Sequence, residues 1–233
     1  MLVRCLREEP PPAGASALDL GTGSGVLAIA AAQAGCGEVV AVDVSRRALL
    51  AVRLNARLNG VRVRALHGDL FAPVAGQRFD LIVSNPPYVP SPQAELPRRG
   101  LARAWEAGHD GRDVLDRICS QADAYLRPGG RLLLVHSALC GETATLSMLR
   151  ERGLHAEVAL RHQGELGPIL RARAPWLHQQ GLLAHPAEWA EEMLVIKAER
   201  PAKPPSPHRD AVQEANRLRS CSLPNSPPLR LSF

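Results

Sequence analysis

Aromatic residues are scarce. Phe, Tyr and Trp together make up 3% of the 233 residues, although hydrophobic residues reach 45%. A core built from this chain rests on Leu, Val, Ile and Ala, and a basic groove with interleaved aromatics for nucleic acid is missing. No run of eighteen apolar residues occurs, so no membrane-spanning helix is expected. Nor does an apolar h-region follow Met1-Leu2-Val3-Arg4-Cys5, so these residues do not read as a signal peptide. Cysteine stands at positions 5, 36, 119, 140 and 221, never as C-x-x-C and never beside a ligand-spaced histidine pair. That pattern predicts reduced thiols in a cytoplasmic protein, with Cys119 and Cys140 as core fillers and no metal site. Net positive charge is also nearly absent from most of the chain. The net charge is +5, but residues 200–233 hold six Arg or Lys against two acids, which leaves +1 for residues 1–199. A near-neutral core argues against a nucleic-acid groove.

What is present is a regular alternation of short apolar runs and helical stretches, the pattern of a parallel sheet. Strands are expected at 16–20, 38–43, 62–67, 79–84, 130–136, 155–161 and 192–198, and helices near 24–34, 45–59, 112–126 and 141–152. Pro128-Gly129-Gly130 reads as a turn before a buried run. At this length the expectation is a single domain over residues 16–199, a lead-in over 1–15 and a tail over 200–233. Seven of the twenty prolines lie in the tail, which is rich in Ser and Arg and is expected to be disordered apart from a short helix over Ala211 to Leu218.

The most informative stretch is Ser84-Asn85-Pro86-Pro87-Tyr88, at the end of the run Phe79 to Val83. Neither proline has an N–H, so strand pairing stops there and nearby carbonyls turn toward a ligand. The Asn85 amide oxygen beside a free carbonyl makes a pair of acceptors suited to a planar –NH2 group, and Tyr88 supplies a flat wall. Upstream, Leu18-Asp19-Leu20 runs into Gly21-Thr22-Gly23-Ser24-Gly25 and then a helix. The turn lets a ligand approach, and the helix start offers unpaired N–H groups. Val26 stands where a dinucleotide fingerprint needs its third glycine, and no Walker lysine follows. The next strand ends at Asp43, an acid placed to accept ribose hydroxyls while also opening a helix. The third is followed by Asp69, in reach of an adenine amino group, and Leu70, a surface for the ring. All four features fall at carboxyl ends of successive strands, where open α/β sheets bind ligands.

With these motifs in place, the chain resembles class I S-adenosylmethionine-dependent methyltransferases, and among them the HemK/PrmC family of protein glutamine-N5 methyltransferases. The nearer likeness is to the subgroup acting on eukaryotic and archaeal release factors. The resemblance rests on Leu18–Gly25, Val42-Asp43, Gly68-Asp69-Leu70-Phe71, Phe79–Val89 and Trp105–Arg112. It implies a Rossmann-like α/β fold, a seven-stranded mostly parallel sheet with helices on both faces and the last strand antiparallel. It also implies S-adenosyl-L-methionine as cofactor, held by Asp19, Gly21, Thr22, Gly23, Ser24, Gly25, Asp43, Asp69, Leu70 and Asn85. Catalytic roles fall to Asn85, Pro86, Pro87 and Tyr88. The implied substrate is a release factor with a Gly-Gly-Gln loop, and some members of the subgroup need a small activator subunit. Relatives carry a covering segment ahead of the first strand. Residues 1–9 here look like the end of the helix after that segment, so the lead-in is expected to be truncated.

Three other readings stay open on the residues alone. One is a nucleic-acid methyltransferase acting on an exocyclic amine, which shares the Asn-Pro-Pro-Tyr chemistry but finds little room for a target-recognition region. Another is a small-molecule methyltransferase, and the third a cofactor-binding protein without activity. The long loop over 89–111 reads as a lid, with Arg98, Arg99 and Arg103 on a solvated face. A helix over Leu166 to Gln180 is a candidate for gripping the polypeptide through Arg171 and Arg173, with Arg161 just ahead of it. The plainer alternative is an apolar stripe packed on the sheet.

Overall fold

In a computed structural model the described residues are 1–202, except 94–96, 98, 99, 186 and 188. The chain divides into two units, Met1–Pro201 and Ala202–Phe233. The tail helix expected over 211–218, and Arg98 and Arg99 of the loop, lie outside the described residues.

Seven strands form one sheet: β1 (Ser16–Leu20), β2 (Glu38–Asp43), β3 (Arg64–His67), β4 (Phe79–Ser84), β5 (Leu126–Ser137), β6 (His155–Glu165) and β7 (Ala190–Glu199). Their order is β3-β2-β1-β4-β5-β7-β6. The first five pair in parallel, and β7 runs antiparallel to both β5 and β6. The expected antiparallel last strand is found. The central strands are near-continuous Val, Leu and Ile because both faces are covered. On one face α1 (Leu2–Glu8), α2 (Val26–Gln33) and α3 (Arg46–Leu58) bury Leu2, Leu6, Ala28 and Val52 against Leu81, Leu133 and Val195. On the other, α4 (Asp113–Cys119), α5 (Ala122–Tyr125) and α6 (Glu142–Glu151) bury Leu115, Ile118, Ala122 and Leu149 against Ile82, Leu132, Leu134 and Ile196. Among the described residues no helix is long and apolar enough to cross a membrane.

Differences from the expected elements have local causes. The helix expected from 24 starts at Val26, since Gly25 is left-handed with φ +87°. The helix expected over 112–126 is two, α4 and α5. The Ser120 N–H closes on the Asp116 carbonyl, the chain resets at Gln121, and both Ile118 and Ala122 reach the core. Pro128-Gly129-Gly130 is a bulge inside β5, where pairing with β4 jumps from Phe79↔Leu126 to Leu81↔Arg131. The helix expected over 166–180 is α7 (Pro168–Gln179), between β6 and β7. Its stripe Leu170, Ala174 and Leu177 packs not on the sheet but in a separate cluster with Leu166 and Leu183, touched by Val89 and Leu139.

The strand order reverses between β1 and β4: β1 leads outward to β2 and β3, while β4 leads the other way to β5. Their carboxyl ends diverge there, which opens a crevice.

Candidate active site

A cavity of about 1200 Å³ fills that crevice. It is lined by the glycine turn (Gly21, Thr22, Gly23, Ser24), by Asp43, Asp69 and Leu70, and by Asn85, Pro86, Pro87 and Tyr88. The sheet topology thus brings together residues more than sixty positions apart. Two of the expected cofactor ligands, Asp19 and Gly25, are not among the lining residues. Asp19 is buried beneath the turn and accepts from the Thr22 hydroxyl at 2.6 Å and the Ala28 N–H at 3.0 Å, so it ties the turn to the start of α2. Among the described residues its Oδ1 has no partner, and burial pushes its carboxyl up to about 7. Gly25 backs onto α3, where a Cβ would meet Val52 at 3.2 Å. Of the helix-start N–H groups expected to face a ligand, that of Ala28 is therefore already taken.

Gly21 and Gly23 hold φ of +65° and +56°, a conformation that side-chain-bearing residues enter at a cost, while their Cβ positions face open space. Asp43 accepts from the Gly23 N–H at 2.9 Å and the Ser45 N–H at 2.7 Å, one on each oxygen. Each oxygen keeps lone pairs for a ligand, so the ribose contact expected for Asp43 is sterically available, whereas the cap of α3 is Ser45, whose hydroxyl accepts from the Ala48 N–H. Asp69 is less free than its place at a strand end suggests, because Arg117 of α4 holds it at 2.5 Å. Leu70 has φ +45°, the positive-φ non-glycine among the described residues. Such strain gathers where structure is shaped around a ligand.

Asn85, just past the end of β4, is exposed and lines the cavity. No described residue donates to or accepts from its side chain or donates to the Pro86 carbonyl. Tyr88 is half-buried against the core, and burial pushes its phenol up to about 12, so it stays protonated near neutral pH. The Tyr88 carbonyl accepts from the Cys140 thiol at 3.0 Å. At Gly111, with φ +75°, a Cβ would stand 2.3 Å from that carbonyl, so only glycine lets the chain pass. Arg112, next along, is buried and reaches the Cys140 and Gly141 carbonyls and Asp116.

Three groups at the site carry no signal legible in the sequence. Arg117 is 48 residues from its partner Asp69. Val135 and Met193, from β5 and β7, supply apolar floor and look like ordinary core positions in sequence. Of the arginines expected to grip a partner, Arg161 is engaged by Glu142 and Glu192, Arg171 by Glu165 and the Leu166 carbonyl, and Arg173 by Glu106 and the Pro90 carbonyl. Among the described residues no group of three or more His, Cys, Asp or Glu is placed to hold a metal.

A sheet of this order, with a glycine turn, Asp43 and the Asn85–Tyr88 segment around one cavity, defines a methyltransferase fold. The profile of the methyltransferase small domain family matches residues 1–98. A protein of Methanocaldococcus jannaschii, provisionally named a protein N5-glutamine methyltransferase, is 37% identical over 144 residues, 62% of this chain and 73% of that one. The release factor glutamine methyltransferase of Geobacter sulfurreducens is 42% identical over 129 residues, 53% of this chain and 45% of its own. The E. cuniculi Mtq2–Trm112 complex, described as responsible for methylation of the eRF1 translation termination factor, shares the fold with a TM-score of 0.56 at 24% identity, over 85% of this chain and 92% of that one. The chain belongs to the HemK/PrmC family of protein glutamine-N5 methyltransferases. It spans about half the length of the release factor glutamine methyltransferases it matches.

Proposed function

We propose that this chain methylates the side-chain amide nitrogen of a glutamine in a protein, a release factor with a Gly-Gly-Gln loop being the first candidate. The observation that carries this reading is that Asn85 and Pro86 line the same cavity as the glycine turn and Asp43, with no described residue hydrogen-bonded to the Asn85 side chain or the Pro86 carbonyl. The residues suit S-adenosylmethionine: Gly21 and Gly23 leave open space at the turn, Asp43 keeps acceptor capacity for a ribose, and Leu70, Val135 and Met193 give apolar walls. When bound, that cofactor supplies an electrophilic methyl on a sulfonium.

The protein's part is placement and desolvation. An amide nitrogen is a weak nucleophile because its lone pair is shared with the carbonyl. Asn85 Oδ1 and the Pro86 carbonyl accept its two N–H bonds, fixing the nitrogen and favouring a pyramidal geometry. Pro87 and Tyr88 hold the flat amide from its faces. Tyr88, a phenol kept protonated by burial, removes no proton, and none needs removing before the nitrogen is alkylated. A small activator subunit is the second proposed partner, by analogy with the Mtq2–Trm112 complex.

The test is transfer of labelled methyl to a lysate of the host deleted for this gene, which also supplies any activator. Label in a protein of release-factor size, mapped by mass spectrometry to a Gly-Gly-Gln peptide, supports the proposal. Label that resists protease and disappears with nuclease replaces it with the exocyclic-amine reading. A lysate that takes no label overturns both.

A further inference from the structure

After Tyr88 the chain leaves the sheet and forms a small ribbon with residues 105–108. The Val89 N–H donates to the Trp105 carbonyl at 2.7 Å, Ala107 to Val89 at 3.1 Å and Ser91 to Gly108 at 2.8 Å. This ribbon carries the acceptor motif at one end, and Glu106 on it lines the cavity. Two short paired segments outside a sheet are marginally stable by themselves.

One side chain from outside bridges both. Arg173 of α7 donates through Nη1 to the Pro90 carbonyl at 2.7 Å and through Nη2 to Glu106 Oε1 at 2.6 Å. The Arg173 and Glu106 side chains are only 18% and 14% exposed. A forked guanidinium is the group that serves two partners in fixed directions. Packing reinforces the link: Val89 sits against the Leu170–Leu177 stripe of α7, and the rings of His109 and Trp176 lie 6.0 Å apart. The other side of the helix is fixed too, where Arg171 donates to the Leu166 carbonyl at 2.6 Å and stacks over Trp189 at 5.3 Å. Helix α7 is therefore a strut from the β6–β7 excursion to the acceptor ribbon. Arg173 itself does not line the cavity.

We propose that Arg173 is a positioning residue for methyl transfer: by clamping Pro90 to Glu106 it holds the Asn85–Tyr88 acceptors in register with the cavity, without contributing to the cofactor side. This rests on the acceptor role proposed for Asn85 and Pro86. It also assigns the α7 excursion a part in acceptor geometry, where its arginines had looked like grips for a partner.

The test uses the full protein with Arg173→Met, Arg173→Lys and Glu106→Gln, and combines two readouts. Amide exchange followed by mass spectrometry should rise about tenfold or more for Val89, Ser91 and Ala107 in Arg173→Met, with β1 and β4 unchanged. Calorimetric affinity for S-adenosylmethionine should stay at the wild-type value. Turnover on whichever acceptor the lysate assay labels should fall roughly ten- to hundredfold in kcat, since small misplacement of a reacting group costs that much. Arg173→Lys should recover part of the loss, because one of the two contacts survives. Unchanged exchange overturns the clamp whatever the acceptor proves to be. Faster exchange with wild-type kcat overturns the positioning role, as does cofactor affinity falling in step with turnover. Failure of the functional reading shows up separately, as a wild-type protein that labels no polypeptide.

Discussion

The glycine-turn side and the Asn85–Tyr88 side of the cavity, proposed above to hold cofactor and acceptor, are built in different ways. Beneath the glycine turn most anchors are close in sequence: Thr22 and Ala28 reach Asp19 across three and nine residues and Gly23 reaches Asp43 across twenty, while Asn55 reaches the Ser24 carbonyl across 31 and, beside the turn, Arg117 reaches Asp69 across 48. Around the acceptor motif they are distant: Cys140 reaches Tyr88 across 52 residues, and Arg173 reaches Glu106 and Pro90 across 67 and 83. A site anchored locally folds with its own strand–turn–helix unit. A site anchored at long range depends on elements far along the chain, here the segment at Cys140 and helix α7, and can be retuned by changes there.

The largest expected effect lies on the acceptor side. Asn85→Ala removes one of two acceptors and touches no described partner, so the fold and cofactor affinity should hold. Removing one well-placed polar contact at a reacting centre costs roughly 10²–10³ in rate. Single-turnover transfer at the wild-type rate would sink the two-acceptor grip, and with it the division of labour between the two sides.

Next comes Asp43→Ala on the cofactor side. It deletes the acceptor offered to the ribose and also frees the Gly23 and Ser45 N–H groups that shape the turn. Hydrogen bonds to a charged group contribute about 1.5–3 kcal/mol, so cofactor affinity should weaken roughly ten- to hundredfold. Calorimetry measures this directly. An unchanged dissociation constant removes Asp43 from the ribose assignment.

The same contrast decides what was legible in the sequence. Strands β1, β2 and β4 fall where their apolar runs predict, because each is buried on both faces and bounded by Gly, Asp or Asn-Pro. The residues from Gly21 to Ser24, with Asp43 and Asn85, were legible as motifs because turn chemistry and strand ends fix them locally. Arg117, Met193 and Arg173 were not. Each is an ordinary residue on an ordinary element until a partner dozens of positions away gives it a role. Asp19 is the opposite case. It sits inside the motif, yet its carboxylate points under the turn, and sequence adjacency does not tell floor from lining. The broken helix at Ser120 and the bulge at Pro128–Gly130 are likewise set by what the core must bury rather than by local propensity.

Asp19 gives the smallest expected effect on binding and the sharpest test of that last point. Asp19→Asn keeps an oxygen to accept from Thr22 and Ala28 and puts an amide where the unpartnered Oδ1 stood. If Asp19 supports the turn from below, cofactor affinity should change by no more than about threefold, the low end for one altered hydrogen bond. Stability should respond differently. Burial lifts the folded-state pKa from 3.8 to about 7, so the folded protein binds this proton more tightly than the unfolded one does. The resulting stabilisation is complete below pH 3.8 and declines as pH rises toward 7, by up to about tenfold in the unfolding equilibrium per pH unit. The Asn variant has no such proton, so its stability should lack this decline. Denaturant midpoints measured between about pH 4.5 and 7.5 decide it. A wild-type slope persisting in Asp19→Asn would place the titrating group elsewhere, and a large loss of cofactor affinity would return Asp19 to the binding surface.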